Sequence, residues 1–202
     1  MPVTQVFTNQ LNFVAGYFGR GMLQKVVLPA DNSKAFAISG RCGYLDNNGK
    51  WVHGPCPTGK GLPFFVWRGV NNFDTTNDGT DSGDSALKHW ISGNARGFIT
   101  CFAGTGGYEF QTTEFVSGTY NNGDALTVGT ASGEEGKLKA LSGTLYAANT
   151  PAVVGFASPF HQTPENFLTS SVANQANAVP VGTNAHGKSV LNFHTWFIPR
   201  SA

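Results

Sequence analysis

Charge is what this chain has least of. Asp, Glu, Lys and Arg make up 12% of its 202 residues, about half of the roughly 25% usual in a soluble domain. The formal net charge is +1, and the basic residues are scattered apart from Lys137 and Lys139. Such a chain has no long-range field to draw in nucleic acid or an anionic membrane surface. No apolar run reaches the roughly 18 residues of a membrane-spanning helix, so neither nucleic acid nor membrane is expected as a partner. The opening MPVTQVFTNQLNF lacks the basic and apolar regions of a secretory leader. Cysteine is sparse as well. Cys42, Cys56 and Cys101 form an odd set, which reads as thiols of a reducing cytoplasm rather than a disulfide framework. Cys42 and Cys56 stand close enough in sequence to pair across a hairpin if an oxidant is met late.

Glycine and phenylalanine are abundant, at 26 and 16 residues. Tight turns, aromatics and few charges together indicate an all-β protein, of small barrel or sandwich modules with at most one or two short helices. At this length about 70% of the unfolded chain's surface can be buried, so folding requires no disulfide or structural metal. Residues 1–24 read as an arm, uncharged up to Arg20, and residues 2–18 carry Val3, Val6, Phe7, Phe13 and Val14. Exposed, that stretch would be an apolar liability; it is expected to lie on a partner chain. Residues 25–105 form a β-rich half. Strands are expected at 25–30, 35–39, 62–70 and 97–104, with an Asn48-Gly49 hairpin between 42–45 and 51–52. Residues 106–202 form the second module, with strands at 108–116, 143–148, 152–158 and 189–198. The glycines of 104–107 read as a hairpin turn between 97–104 and 108–116. Short helices are expected at 85–92 and 165–174.

Candidate chemistry dissolves on inspection. Asp74, Asp78, Asp81 and Asp84 approach a calcium-loop spacing, but Ser85 stands where the bidentate Glu belongs. A solvated turn with Asp84 capping the following helix accounts for them. Cys42, His53 and Cys56 supply three soft ligands where structural zinc wants four. Five histidines occur, none in a nucleophile motif, and no phosphate-binding glycine loop is present. No catalytic residue, cofactor or metal is therefore assigned. Trp51, Trp67, Trp90 and Trp196 could stack on sugar, which keeps a carbohydrate-binding β-sandwich as an alternative, although tryptophan in β-rich chains is more often core.

Residues 120–141, YNNGDALTVGTASGEEGKLKAL, concentrate the turn chemistry. Asn122-Gly123 supplies a tight turn, Leu126 and Val128 point to one face, and Gly136 reopens the chain toward Leu138. Glu134 and Glu135 fall at a polar tip. Together with TPAVVGFAS at 150–158, this stretch resembles the capsid decoration, or cement, proteins of tailed phages. There a Gly-Asp-x-Leu-Thr-Val strand, a short tip, a Gly-Lys-Leu strand and a later Val-Val-Gly-x-Ala strand build a small barrel. The resemblance covers residues 108–158; residues 35–105 match nothing in it. It implies a non-enzymatic virion structural protein on the capsid exterior, bound to the major capsid protein and self-associating, with a trimer as one form. It also implies an arm that adds a strand to a neighbour. Another virion component, such as a short major capsid, tail or fibre-base protein, is the nearest alternative. On this reading the candidate contact residues are Val3, Val6, Phe7, Phe13, Val14, Glu134 and Glu135.

Overall fold

A computed structural model describes residues 11–15, 24–27, 39–58, 62–68, 99–104, 106–159, 179–183 and 187–200, with the backbone alone for 12–15, 24–27, 67–68 and 99–100. Two antiparallel sheets make up the fold, and the described residues contain no helix. The larger, seven-stranded sheet is built from β1 (Leu11–Ala15), β7 (Glu109–Thr112), β8 (Ala125–Val128), β9 (Leu138–Ala140), β10 (Val153–Ala157), β11 (Val181–Thr183) and β12 (Ser189–Ile198). Its order is β1-β7-β12-β10-β8-β9, and β11 pairs with the start of β12. The smaller sheet, in the order β2-β6-β5-β3-β4, uses β2 (Gln24–Val27), β3 (Cys42–Leu45), β4 (Trp51–His53), β5 (Pro63–Arg68) and β6 (Ile99–Ala103).

The sheets share one core. Phe65 of the smaller sheet lies 5.3 Å from Phe193 of the larger, ring centre to ring centre, and Phe102 stacks against Phe110 at 6.5 Å. Cys42, Leu126, Leu138, Val154 and Leu191 fill the space around them. Each such Phe or Leu, fully buried, contributes roughly 1.5–3 kcal/mol. The smaller sheet also buries its other face, where Trp51, Phe64, Val66, Cys101 and Ala103 form a second cluster. That explains the unbroken apolar run of β5: a strand covered on both sides has no polar face to alternate with. Gly43 is required in β3, because a Cβ there would strike the Val52 carbonyl and the Trp51 ring.

The seam between the sheets is polar and specific. Thr112 Oγ1 donates to the Gly40 carbonyl at 3.2 Å, Cys42 N–H to the Gly136 carbonyl at 2.7 Å, and Arg41 Nε to Glu114 Oε2 at 3.0 Å. Beyond β7 the chain returns beside β9 in parallel, through a Phe115–Leu138 bridge. The larger sheet curls there, but the architecture is a sandwich and not a closed barrel.

Several expectations hold. The Asn48-Gly49 hairpin forms, with Gly49 at φ 72°, and β8 and β9 pair as Leu126–Ala140, Thr127–Lys139 and Val128–Leu138. Others are corrected. Residues 97–104 and 108–116 do not make a hairpin: β6 pairs with β2 and β5, whereas β7 pairs with β1 and β12. Both strands need an inward face for Phe102 and Phe110, so the chain crosses from one sheet to the other at Gly106-Gly107. Residues 143–148 are turns, not a strand. β11 (Val181–Thr183) lies where no strand was expected. The expected strand at 35–39, apart from Ser39, and the helices at 85–92 and 165–174 lie outside the described residues, as does the Asp74–Asp84 loop.

Candidate functional site

Of the arm, Val3, Val6 and Phe7 lie outside the described residues, while Phe13 and Val14 belong to β1. That strand pairs with β7 in the registers Leu11–Thr112, Asn12–Gln111 and Phe13–Phe110, with an irregularity before Ala15. Leu11 is buried in the shared core. Part of the arm is thus an edge strand of this chain's own sheet, and among the described residues its second edge has no strand beside it. A strand edge offers a row of backbone donors and acceptors to any extended segment. Residues 11–15, LNFVA, carry no Lys or Pro of the kind that blunts such edges.

The hairpin tip is tied down more firmly than a displayed polar loop. Gly129 N–H donates to the Lys137 carbonyl at 2.8 Å, and Lys137 N–H to that of Glu134 at 2.8 Å. Gly136 sits at φ 77°, and a Cβ added there would lie 3.1 Å from the Cys42 carbonyl and 3.2 Å from the Arg41 side chain. The tip therefore clasps the start of β3. Glu134 meets Lys139 at 3.5 Å with both side chains about one-third exposed, a pair of little energetic weight. Glu135 accepts from Gly133 N–H at 2.7 Å. Its carboxyl is held below the ordinary value chiefly by its own backbone N–H, helped by Gly133 N–H and the positive charges of His53 and Arg41. The Glu135 carboxylate thus lies within electrostatic reach of Arg41 at the inter-sheet seam.

Two features of the β8–β10 region follow from the motif. Gly155, the glycine of Val-Val-Gly-Phe-Ala, pairs with Leu126 on one side and Thr195 on the other. An added Cβ would lie 2.5 Å from the His194 carbonyl, so only glycine fits. Tyr120 closes the hairpin base, its hydroxyl donating to the Val116 carbonyl at 2.6 Å. Burial, with the Glu134 charge adding, pushes the phenol up to about 12.

The remaining polar clusters are closed. Ser158 Oγ donates to Glu109 Oε1 at 3.1 Å, and Asn192 Nδ2 donates to Glu109 Oε1, Ser158 Oγ and the Pro159 carbonyl. Glu109, Ser158 and Asn192 are each more than nine-tenths buried, so the cluster cross-links β7, β10 and β12 and offers no reactant access. Cys42, Cys56 and Cys101 are buried thiols. Burial lifts the Cys42 thiol far above its ordinary range, and the neighbouring Cys56 adds to the rise, so thiolate chemistry is suppressed there. Among the described residues no three His, Cys, Asp or Glu side chains are grouped to hold a metal ion. Trp51 is core, with Nε1 donating to the Phe64 carbonyl at 3.3 Å.

Sequence reasoning favoured a core position for Trp196 over a sugar-stacking one and gave Tyr146 no role. Tyr146 is 71% exposed and Trp196 is 55% exposed. For Trp196 a signal existed: β12 alternates, with Leu191 and Phe193 inward, so His194 and Trp196 face out. For Tyr146 the reading of 143–148 as a strand concealed it. Comparison of the chain with protein-family models, with curated proteins and with solved structures finds no match.

Proposed function

We propose that this chain is a non-enzymatic virion structural protein, a capsid decoration protein that binds the shell of a phage head and stabilises it. One observation carries the reading. The Gly-Asp-Ala-Leu-Thr-Val strand, the Gly-Lys-Leu strand and the Val-Val-Gly-Phe-Ala strand, quoted for their resemblance to cement proteins, are adjacent as β9-β8-β10. Each motif glycine there has a steric or conformational reason. The edge of β1 that no described strand pairs supports a partner held by strand addition, with the major capsid protein as that partner and further copies of this chain beside it. Neither nucleic acid nor a membrane is called for by a chain of net charge +1.

The mechanism is mass action. A protein that binds across joints of the assembled shell, and not the dissociated subunits, lowers the free energy of the shell alone. The test is co-sedimentation of the purified chain with expanded shells of the phage that encodes it. Saturable pelleting with shells is expected; a chain that stays in the supernatant overturns the proposal. Exposed Trp196 and Tyr146 favour a second reading, a carbohydrate-binding sandwich. Quenching of tryptophan fluorescence by oligosaccharides, without shell binding, would select it.

A further inference from the structure

The loop between β9 and β10 contains two consecutive tight turns. Ala147 N–H donates to the Thr144 carbonyl and Thr150 N–H to the Ala147 carbonyl, while the Thr150 hydroxyl donates its one proton chiefly to the Ala147 carbonyl, with the Thr144 carbonyl 3.3 Å away, and ties the turns together. In each turn the third residue has positive φ, Tyr146 at 66° and Asn149 at 61°. Asn tolerates this region; a tyrosine does so at a cost that glycine would avoid. Among the described residues no packing offsets that cost, because Tyr146 is 71% exposed. A strained backbone that carries an unpacked aromatic is explained by what the ring meets outside the chain.

The surroundings indicate what that is. Residues 140–164 contain no Asp, Glu, Lys or Arg, and the exposed part of the loop is Ser, Gly, Thr, Ala, Asn and Pro around the one tyrosine. Depletion of charge and a rigid tyrosine among small polar residues are the composition of protein-contact surfaces. A tyrosine held by its backbone loses little freedom on docking.

We infer that the loop of residues 141–151 is a second contact with the capsid shell, separate from the β1 edge, and that Tyr146 is its anchor. This inference rests on the proposed function. It makes the shell contact insensitive to salt, since no charge takes part.

The experiment measures binding of the full chain to expanded shells, alongside its own melting temperature. Tyr146→Gly relieves the backbone and removes the ring, so it is expected to melt no lower than the unaltered chain while binding at least about tenfold more weakly. Tyr146→Phe keeps the ring and is expected to bind within about threefold of the unaltered chain. Raising salt from about 0.05 to about 0.5 M, which screens surface charge pairs, is expected to leave the affinity within about twofold. Tyr146→Gly that binds as well as the unaltered chain overturns the inference and leaves the proposed function standing. Tyr146→Gly that melts lower shows a structural role for the ring and also overturns it. If the unaltered chain does not bind shells, the proposed function falls, and this contact with it.

Discussion

Arg41 Nε donates to Glu114 Oε2 at 3.0 Å, with the two side chains only 10% and 8% exposed, so a buried ion pair spans the seam between the sheets. Removing one partner leaves the other charge buried without its counterpart, which typically costs about 3–5 kcal/mol. Glu114→Gln and Arg41→Met are each expected to lower the urea midpoint strongly. Combining Arg41→Met with Glu114→Gln should cost less than the two single losses added together. Strict additivity would show that the pair does not couple the sheets.

The hairpin of residues 120–141 separates backbone from core effects. Gly123 has φ 87° in open space, so Gly123→Val should cost about 1–2 kcal/mol from the backbone alone. Gly136→Ala should cost more than Gly123→Ala, because Gly136 also abuts Arg41 and Cys42. Leu126→Asp places a charge in the shared core and should cost more than any of these. Glu134→Ala should change stability by less than about 0.5 kcal/mol. Urea midpoints check all five; a harmless Leu126→Asp would contradict the packing described.

Alkaline pH should weaken the fold through Cys42 and Tyr120. Burial favours the neutral forms of Cys42 and Tyr120, so the unfolded chain gives up these protons first. Their contribution is intact below the unfolded values. It declines as pH rises past about 9 for the Cys42 thiol and between about 10 and 12 for the Tyr120 phenol. Tyr120→Phe should remove the second part of the decline while costing about 1 kcal/mol at neutral pH for the lost hydrogen bond. Melting temperatures from neutral pH to about 12 test this, and a flat profile would contradict it.

The arm is best cut before Leu11. Deleting residues 2–18 would remove β1 and the buried Leu11 with it, so any loss of binding would be confounded by damage to the sheet. Deleting residues 2–10 spares β1 and Leu11 and should reduce shell binding. Unaltered occupancy after that cut would show that the arm makes no contact.

Local signals made the hairpins legible. Asn48-Gly49 and the Gly123 and Gly136 positions announce their backbone needs, and Val-Val-Gly-Phe-Ala marks a strand that admits another backbone closely. What stayed hidden depends on pairing at long range. Arg41 and Glu114 lie 73 residues apart, and neither has a neighbour that hints at the other. The alternation in 97–104 and 108–116 shows that each strand has an inward face, but not that the faces oppose across a core. Glu109 and Asn192 occupy positions that alternation marks as outward; their burial comes from the cluster they form with Ser158. Tyr146 was missed because apolar composition at 143–148 suggests a strand, whereas the consecutive turns there depend on Thr150 closing them.

The most direct test of shell stabilisation is calorimetric disassembly of expanded phage shells with and without saturating chain. A decoration protein is expected to raise the disassembly temperature in proportion to occupancy, with the rise diminished by Tyr146→Gly and by deletion of residues 2–10. A disassembly temperature unchanged at saturating chain would contradict the account.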